Sequence, residues 1–397
     1  MICIEKALTQ PVPSDIYTIG APEDVLFFDI ETTGLSARSA GLYLIGVLTY
    51  TADASIAKEG HTASSSGEAQ ISVIPSAHNT TSDATASLHT SGAEGGHWTL
   101  LQYFCEDVAD EPAVLQAFFE LLRTKKTLIS YNGDGFDIPF LLHMVEQYGL
   151  PYSFDAVESF DLFKKFRPLK RLLGLPDLKL KSCEHFLGID REDRFTGGEL
   201  IEVYFEWQKT KSPALLDTLL LHNAEDIANL PNLLPLLRYR TLPHSDFQLR
   251  AHERDECTIH LHYLSTLALP RPMDLRGDFW ALHAEDSAVE LYVQLFEGER
   301  KLFFTDFEHY YYLPAEDQVI HQSLAEFVDR SARKKACARN CYQRVTGCFL
   351  PEWSELYTPA LQAEYRDKLR YAQYSDALFD DEVKAVTYLK SFLETAL

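Results

Sequence analysis

The sequence predicts an α/β fold in which a mixed sheet is flanked by helices, followed by a smaller α+β region. One observation behind this prediction is the apolar run over residues 25–35, which delivers Asp29 and Glu31 and stops at a Thr-Thr-Gly turn, as a buried strand does. The other is a helix between two later strand-like segments, because a crossover of this kind makes the new strand parallel to the first.

Length and composition indicate a globular protein. A chain of 397 residues with 46% apolar residues can bury a large core, and two domains are the natural expectation. No apolar run approaches the roughly 20 residues of a membrane span, and the N-terminus does not look like a signal peptide, so we expect no membrane contact and a cytoplasmic location. The net charge of −23 opposes general affinity for nucleic acid but leaves room for a local basic groove.

The seven cysteines include no C-x-x-C pair, so neither a disulfide framework nor a thioredoxin-like site is indicated. Reduced thiols are expected. Zinc binding by Cys337, Cys341 and Cys348 stays an alternative, although their spacing matches no common zinc finger.

Residues 1–21 are expected to be a lead-in, since Pro11 and Pro13 discourage regular structure. After the opening strand, residues 41–50 and 98–104 are rich in β-branched and aromatic residues and predict a pair of strands. Residues 51–96 contain no aromatic residue, which predicts a disordered insertion between them. The short apolar segment 71–74 could add an edge strand.

A helix is predicted from Glu111 to Arg123, then a strand over 127–131 and a helix over 138–148 that ends at Gly149. Asp137 lies between this strand and its helix. Because the strand is parallel to the first one, Asp137 should arrive beside the end that carries the first two acids. A helix N-cap is the alternative role for Asp137.

Residues 161–181 form the most basic window of an acidic chain, with Phe163 and Phe166 interleaved. This pattern favours contact with a nucleic-acid backbone, and a solvated helix face is the alternative. Asp161 precedes the basic residues and has either a supporting role beside the site or a structural one. The basic residues are Lys164, Lys165, Arg167, Lys170, Arg171, Lys179 and Lys181.

An amphipathic helix is predicted over residues 213–230. It carries His222 and Asp226 four residues apart, hence on one face. An incidental pair on the helix surface is the alternative. Glu225 should face solvent, and Pro231 should end or kink the helix.

Residues 241–397 are predicted to be an α+β region of unknown role. Antiparallel strands are expected over 281–304, with turns near 285–286 and 297–299, and another strand at 310–312. Helical segments are expected around 322–336 and 360–395. This region shows no catalytic constellation.

Asp29 and Glu31 are two residues apart on a strand, so their side chains point the same way. Two like charges on one patch repel each other unless protonation, solvent or a cation relieves them, and hard oxygen ligands suit Mg²⁺ or Mn²⁺. An exposed acidic strand end is the alternative.

Three acidic motifs in chain order resemble those of the DEDD superfamily of 3′→5′ exonucleases, and residues 22–240 look most like the YprB-type, ribonuclease H-like proteins. The resemblance implies a five-stranded sheet, three antiparallel strands followed by two parallel ones, flanked by helices. The motifs are Asp29-x-Glu31, Asn132-x-x-x-Phe136-Asp137 and His222-x-x-x-Asp226.

The resemblance also implies a function. Four carboxylates would bind two divalent cations, Mg²⁺ or Mn²⁺, and a water would attack the terminal phosphodiester of single-stranded DNA or RNA. These carboxylates are Asp29, Glu31, Asp137 and Asp226. The expected substrate-binding residues are Thr32, Asn132, Phe136, Lys164, Lys165, Lys170 and Arg171.

His222 departs from the family pattern. Family members have either Tyr four residues before the last Asp or His five residues before it, whereas this chain has His222 four residues before and Leu221 five residues before. We expect His222 to orient or deprotonate the water, since imidazole can act as a base near neutral pH. A slow or inactive nuclease, a non-catalytic nucleic-acid-binding module and a ribonuclease H-like endonuclease are the alternatives.

Overall fold

The computed structural model describes residues 1–52 and 96–397, which form two compact units. The first unit comprises Met1–Lys164 and Arg191–Asn232, and the second comprises Lys165–Asp190 and Leu233–Leu397. Of the predicted insertion, residues 51, 52 and 96 lie at strand ends, and the remainder, with the edge strand at 71–74, falls outside the described residues.

The first unit is built on a six-stranded mixed sheet with the order β1-β4-β3-β2-β5-β6. The β1–β4, β4–β3 and β3–β2 pairs are antiparallel, whereas β2–β5 and β5–β6 are parallel. The predicted order of three antiparallel and two parallel strands is therefore confirmed for β2 to β6. The strands are β1 (Ile2–Leu8), β2 (Val25–Thr32), β3 (Leu42–Ala52), β4 (Gly96–Phe104), β5 (Thr127–Ser130) and β6 (Glu158–Asp161).

Strand β1 corrects the predicted lead-in, because residues 2–8 pair with β4 along their whole length. The two prolines that suggested irregular structure, Pro11 and Pro13, follow this strand and do not interrupt it. An edge strand such as β1 needs pairing on one side only, so its sequence carries a weak signal.

Helices cover both faces of this sheet. Apolar residues of α1 and α2 pack with Phe28 and Ile30 on one face, and apolar residues of α6 and α7 pack with Tyr43 and Phe104 on the other. The three helices of this unit that were predicted, α1, α2 and α7, begin and end close to their predicted limits, but α7 continues through Pro231 instead of ending there. The bounds are α1 (Glu111–Leu122), α2 (Asp137–Gln147), α3 (Leu162–Phe166), α4 (Leu169–Leu172), α5 (Leu180–Leu187), α6 (Gly197–Thr210) and α7 (Pro213–Leu233).

The second unit contains α4 and α5 together with the chain after α7, and it combines helices with three sheets. Its sheets have the orders β7-β8-β11-β10-β9, β12-β16-β17 and β14-β13-β15, and their strand pairs are antiparallel. The remaining elements are α8 (Arg238–Thr241), β7 (Phe247–Asp255), β8 (Thr258–Ser265), β9 (Met273–Arg276), β10 (Trp280–Glu285), β11 (Ala288–Gln294), β12 (Phe296–Phe303), β13 (Tyr310–Leu313), β14 (Gln318–His321), β15 (Lys334–Lys335), β16 (Tyr342–Glu352), β17 (Arg370–Gln373) and α9 (Glu382–Ala396).

Three predictions for this region need correction. No turn lies at 297–299, because β12 runs through Gly298, which pairs with Gly347 of β16. Residues 322–336 form short 3₁₀ turns and β15 rather than a long helix. The helix expected over 360–395 is confined to α9, since the preceding residues contribute β17 to a sheet.

Two expectations about the chain as a whole can be compared with the structure. All seven cysteines are free thiols, as predicted. No helix within residues 1–52 and 96–397 is long and apolar enough to cross a membrane.

Candidate active site

Strand β2 brings the first two acids of the site to one face of the sheet. Phe28 and Ile30 enter the core on the side of α1 and α2. Asp29 points the opposite way, where it accepts a hydrogen bond from Asn223 of α7. Because side chains alternate along a strand, Glu31 shares the face of Asp29, as the sequence predicted.

Asp137 ties the second motif to the first. It is the first residue of α2, with Phe136 rather than Asp137 as the N-cap. Its Oδ1 accepts a hydrogen bond from the backbone N–H of Ile30 at 3.2 Å. Strand β5 pairs with β2 only as far as Phe27, so Asp137 satisfies a buried backbone donor just beyond the parallel pairing.

Helix α7 approaches the sheet closely through Asn223. The Asn223 side chain donates to Asp29 Oδ2 at 3.1 Å and accepts from Gln102 of β4 at 2.9 Å. Gly46 lies opposite Asp29 in β3, and a Cβ there would come within 2.0 Å of Asn223 Oδ1. A glycine is therefore required at this point for the helix to reach the acids.

His222 lies between Glu31 and Asp226 on one side and Asp193, which the sequence did not single out, on the other. Its Nε2 is 3.7 Å from Glu31 Oε1 and 3.6 Å from Asp226 Oδ2, too far for hydrogen bonds. Its Nδ1 is 2.7 Å from Oδ2 of Asp193, and the imidazole side chain is only 7% exposed. The ring is thus held from the Nδ1 side and presents Nε2 to the acids.

The loop between α5 and α6 supplies further charged groups. Arg191 donates to Asp226 Oδ1 at 2.5 Å and lies 4.0 Å from Asp193. Glu225, predicted to face solvent, is half-buried, and its carboxylate accepts hydrogen bonds from the backbone N–H groups of Glu192 and Asp193, both at 2.9 Å. Glu225 therefore anchors the loop that carries these groups.

Burial and the charges of neighbouring acids raise the pKa values of Asp29, Glu31 and Asp137. Loss of hydration, followed by the charges of Asp137, Glu31 and Asp226, holds the pKa of Asp29 well above its usual range. Loss of hydration and the charge of Asp226 do the same to Glu31, opposed by the Tyr43 hydroxyl that donates to it at 3.4 Å. Burial raises the pKa of Asp137 to about 7, although the Ile30 N–H opposes the shift.

The chemistry of the donor set fits a divalent cation. Glu31, His222 and Asp226 each place a ligand atom within 4.8 Å of those of the other two. Carboxylate oxygens dominate the cluster, and such oxygens suit Mg²⁺ or Mn²⁺. A cation at this place would relieve the repulsion that raises the pKa values of the acids.

The three uncharged residues predicted to bind substrate have structural contacts. Thr32 is buried, and its hydroxyl donates to the carbonyl of Gly34 at 2.8 Å. Asn132 is exposed in a left-handed conformation with φ of 67°. Phe136 packs against Phe140 at a ring-centroid distance of 5.7 Å. Their roles toward substrate stay predictions.

The basic residues fall in two groups. Lys164 belongs to the first unit, where it is exposed and pairs with Asp134 at 2.6 Å. Lys165, Lys170 and Arg171 belong to the second unit, and Lys170 and Arg171 are exposed on α4. Phosphate contact by these residues stays a prediction.

Asp161, for which two roles were open, has structural contacts. Its Oδ1 accepts hydrogen bonds from the backbone N–H groups of Asn132 and Phe163, at 2.9 and 3.0 Å. It therefore holds the turn that follows β5.

Asn223, Arg191 and Asp193 were not singled out by the sequence. Asn223 stands inside the last motif, next to His222, so its place on the helix could have indicated it. Arg191 and Asp193 lie in a loop without periodicity, and only their proximity in the folded chain relates them to the site.

Comparison with known proteins agrees with this architecture. Residues 76–238 match the model of the RNase_H_2 family, of the RNase H superfamily. With the mixed sheet described above, this match establishes a ribonuclease H-like fold. No curated protein matches the chain.

Similarity to solved structures is weak. The family B DNA polymerase of Pyrobaculum calidifontis has a TM-score of 0.36 and 13% identity, covering 70% of this chain and 34% of the polymerase. Exonuclease I has a TM-score of 0.26 and 10% identity, with 94% of this chain and 70% of that one covered. A zinc-bound complex of E. coli exonuclease I with single-stranded DNA has a TM-score of 0.24 and 14% identity, with 62% and 54% covered. The chain thus spans about a third of the polymerase.

Proposed function

We propose that residues 22–240 form a metal-dependent 3′→5′ exonuclease of the DEDD, YprB-like type, which hydrolyses phosphodiester bonds at single-stranded nucleic-acid 3′ ends. The observation that carries this proposal is the convergence of three separate motifs on one buried cluster of acids. Asp137 bonds to the strand of Asp29 and Glu31, and Asp226 approaches Glu31 within 4.8 Å. A purely structural role would not require Asp29, Glu31 and Asp137 to be buried together, where burial and neighbouring charges raise their pKa values.

In the proposed mechanism, Asp29, Glu31, Asp137 and Asp226 would hold two divalent cations, Mg²⁺ or Mn²⁺. Such ions would lower the pKa of a water and stabilise the charge that develops on the leaving 3′ oxygen. The hydrogen bonds from Asn223 to Asp29 and from Ile30 to Asp137 keep these carboxylates oriented before substrate arrives.

His222 is proposed to accept a proton from the attacking water, or to orient that water. An ionised carboxylate can only accept hydrogen bonds, so in this proposal Nδ1 of His222 donates to Asp193, and Nε2 then offers a lone pair whenever it carries no proton. That lone pair faces oxygens of Glu31 and Asp226, which are also acceptors. A water or a cation between these acceptors would satisfy all of them.

Asp193 would then be a positioning residue that fixes the ring of His222. Its Oδ1 accepts from the backbone N–H of Phe195 at 3.0 Å, while Oδ2 meets the imidazole. In an Asp193→Asn variant the amide oxygen would stay with Phe195, so the NH₂ group would point at Nδ1. The imidazole would then carry its proton on Nε2 and could no longer accept one from water.

A degradation assay on single-stranded DNA and RNA labelled at the 5′ end tests the proposal in Mg²⁺ or Mn²⁺. A ladder that shortens from the 3′ end, and that a blocked 3′ end prevents, is the expected result. Internal cuts would instead support an endonuclease, and intact substrate would support a binding module.

Variants localise the activity. Asp29→Asn and Asp226→Asn should abolish cleavage, whereas Asp217→Asn, which changes an exposed acid on the same helix as Asp226, should not. Cleavage that survives in Asp29→Asn would contradict the site assignment. Unchanged turnover in His222→Ala would remove the imidazole from the mechanism.

A further inference from the structure

A second cluster of metal-ligating side chains lies in the second unit, on two neighbouring strands of its five-stranded sheet. His260 and His262 are two residues apart in β8, so they share one face of the sheet. Glu290 of β11 pairs directly with His262 and shares that face. All three side chains are partly exposed, between 20% and 33%.

The distances in this cluster are unusual for hydrogen bonds. His260 Nε2 lies 3.7 Å from Glu290 Oε2, and His262 Nδ1 lies 3.6 Å from Glu290 Oε1. Both distances exceed the limit for an N–H···O bond. A tetrahedral zinc site with bonds of about 2.0 Å places its ligand atoms about 3.3 Å apart, which is close to these two distances. The three ligand atoms all lie within 4.8 Å of one another.

His260 has a buried atom that needs a partner. Its Nε2 is shielded from solvent and makes no hydrogen bond within the part of the chain that the structure describes. Buried polar atoms without a partner are rare, and an unfilled ion position is one of the ordinary explanations. The atom faces Glu290, the acid that the two histidines share.

The surroundings hold the three ligands in place. The Tyr292 hydroxyl donates to Glu290 Oε2 at 2.9 Å, and the Tyr292 ring stacks on His260 with centroids 3.9 Å apart. Supporting contacts of this kind orient the ligands of metal sites. By contrast, His283 on the neighbouring strand β10 has a normal hydrogen-bond distance of 2.9 Å to Asp274.

We propose that His260, His262 and Glu290 bind one divalent transition-metal ion of the zinc class. Two imidazoles and one carboxylate form a recognised zinc donor set that leaves a fourth position for water or another ligand. Mg²⁺ prefers a shell of oxygens, so it competes poorly for this site. The proposal is independent of the nuclease assignment, because the two clusters share no residue.

Zinc titration of the full chain tests the proposal. The protein is stripped with a chelator, returned to millimolar Mg²⁺ to occupy the acidic cluster of the first unit, and titrated with Zn²⁺ against a chromophoric chelator. The wild type should retain one Zn²⁺ equivalent that His260→Ala and Glu290→Gln lose. His283→Ala is the matched control and should keep it.

X-ray absorption on the zinc-loaded wild type gives a readout that does not depend on folded variants. It should report two imidazole ligands. The proposal is overturned if the wild type retains no zinc equivalent, if His260→Ala keeps that equivalent, if His283→Ala loses it, or if absorption shows no imidazole ligation.

Discussion

Replacing Glu31 with Gln should stabilise the metal-free protein while it disables the proposed site. Glu31 is buried beside Asp226, and their repulsion and lost hydration raise its pKa well above the usual range. Gln keeps the shape of the side chain and an oxygen that can accept from the Tyr43 hydroxyl. The substitution therefore removes mainly the charge.

A Coulomb calculation gives the size of the effect. Charges 4.8 Å apart, the upper limit of the Glu31–Asp226 oxygen separation, repel each other by about 3 kcal/mol at an effective dielectric constant of about 20. We expect a gain of about 1–3 kcal/mol in the free energy of unfolding.

The sign of the pH dependence follows from the raised pKa. In the wild type, Glu31 loses its proton in the unfolded chain before it does so in the folded one, so stability falls as the pH rises above the unfolded value. The gain in Glu31→Gln should thus be absent near pH 4 and present near pH 8. Urea unfolding in EDTA at both pH values measures it, with Glu202→Gln, an exposed glutamate on α6, as the control.

Added Mg²⁺ should reverse the stability advantage of Glu31→Gln over the wild type. A cation that binds only the folded wild type raises its free energy of unfolding by about 2.7 kcal/mol when the free cation concentration is 100 times Kd. The variant should gain less because it has lost one of the ligands. The reasoning is refuted if Glu31→Gln in EDTA at pH 8 is no more stable than the wild type, or if both proteins gain equally from Mg²⁺.

Three further predictions concern residues that position the site or lie at buried places in the fold. Asp193→Asn should move the ring proton of His222 from Nδ1 to Nε2, visible in ¹⁵N NMR of the imidazole, and lower turnover more than substrate affinity. An unchanged tautomer would contradict this. Gly46→Ala should lower the free energy of unfolding by about 1–3 kcal/mol because its methyl group meets buried Asn223, and an unchanged thermal midpoint would count against it. Burial raises the pKa of Glu352 to about 7, so wild-type stability should fall between about pH 4.5 and 7. The Glu352→Gln variant should show a smaller fall than the wild type in urea unfolding, because the raised pKa values of Asp29, Glu31 and Asp137 contribute to the fall in both proteins. A fall of equal size would disprove the assignment.

The elements that position the site were predictable because their signals are local. Strand β2 has a continuous apolar run, and α7 has an apolar face of regular period, so both start within a residue of the predicted position. The parallel arrangement of β5 followed from its helical crossover. Together these features predicted where Asp29, Glu31 and Asp137 would come together.

What could not be predicted depends on contacts between distant segments. Strand β1 exists through its pairing with β4, nearly 100 residues away in the chain. Glu225 looks solvated on an isolated helix, yet the loop carrying Arg191 and Asp193 lies against it. Gly298 and its acidic neighbours resemble a turn, but pairing with β16 keeps them extended. Local patterns carry no information about such partners.

The displaced histidine shows why a motif alone could not define the site. Four residues on an α-helix leave side chains about 40° apart, and five leave them about 140° apart. His222 therefore faces the same side as Asp226, whereas Leu221, in the position where some members of the DEDD superfamily that the motifs resemble carry histidine, is 38% exposed. The imidazole is at the site because the helix turns it there, and Asp193 holds it from a separate loop.

It follows that tyrosine cannot simply replace His222, although some members of the DEDD superfamily, which the motifs resemble, carry tyrosine at the corresponding position. The Asp193 side chain is only 1% exposed and would lose the imidazole on its Oδ2. Removing a partner from a buried polar group costs about 1–3 kcal/mol. His222→Tyr should therefore unfold at lower temperature than the wild type, and adding Asp193→Asn should recover part of the loss, since a neutral amide tolerates burial better than a carboxylate. A His222→Tyr single variant as stable as the wild type would show that the Asp193 contact contributes nothing to the fold.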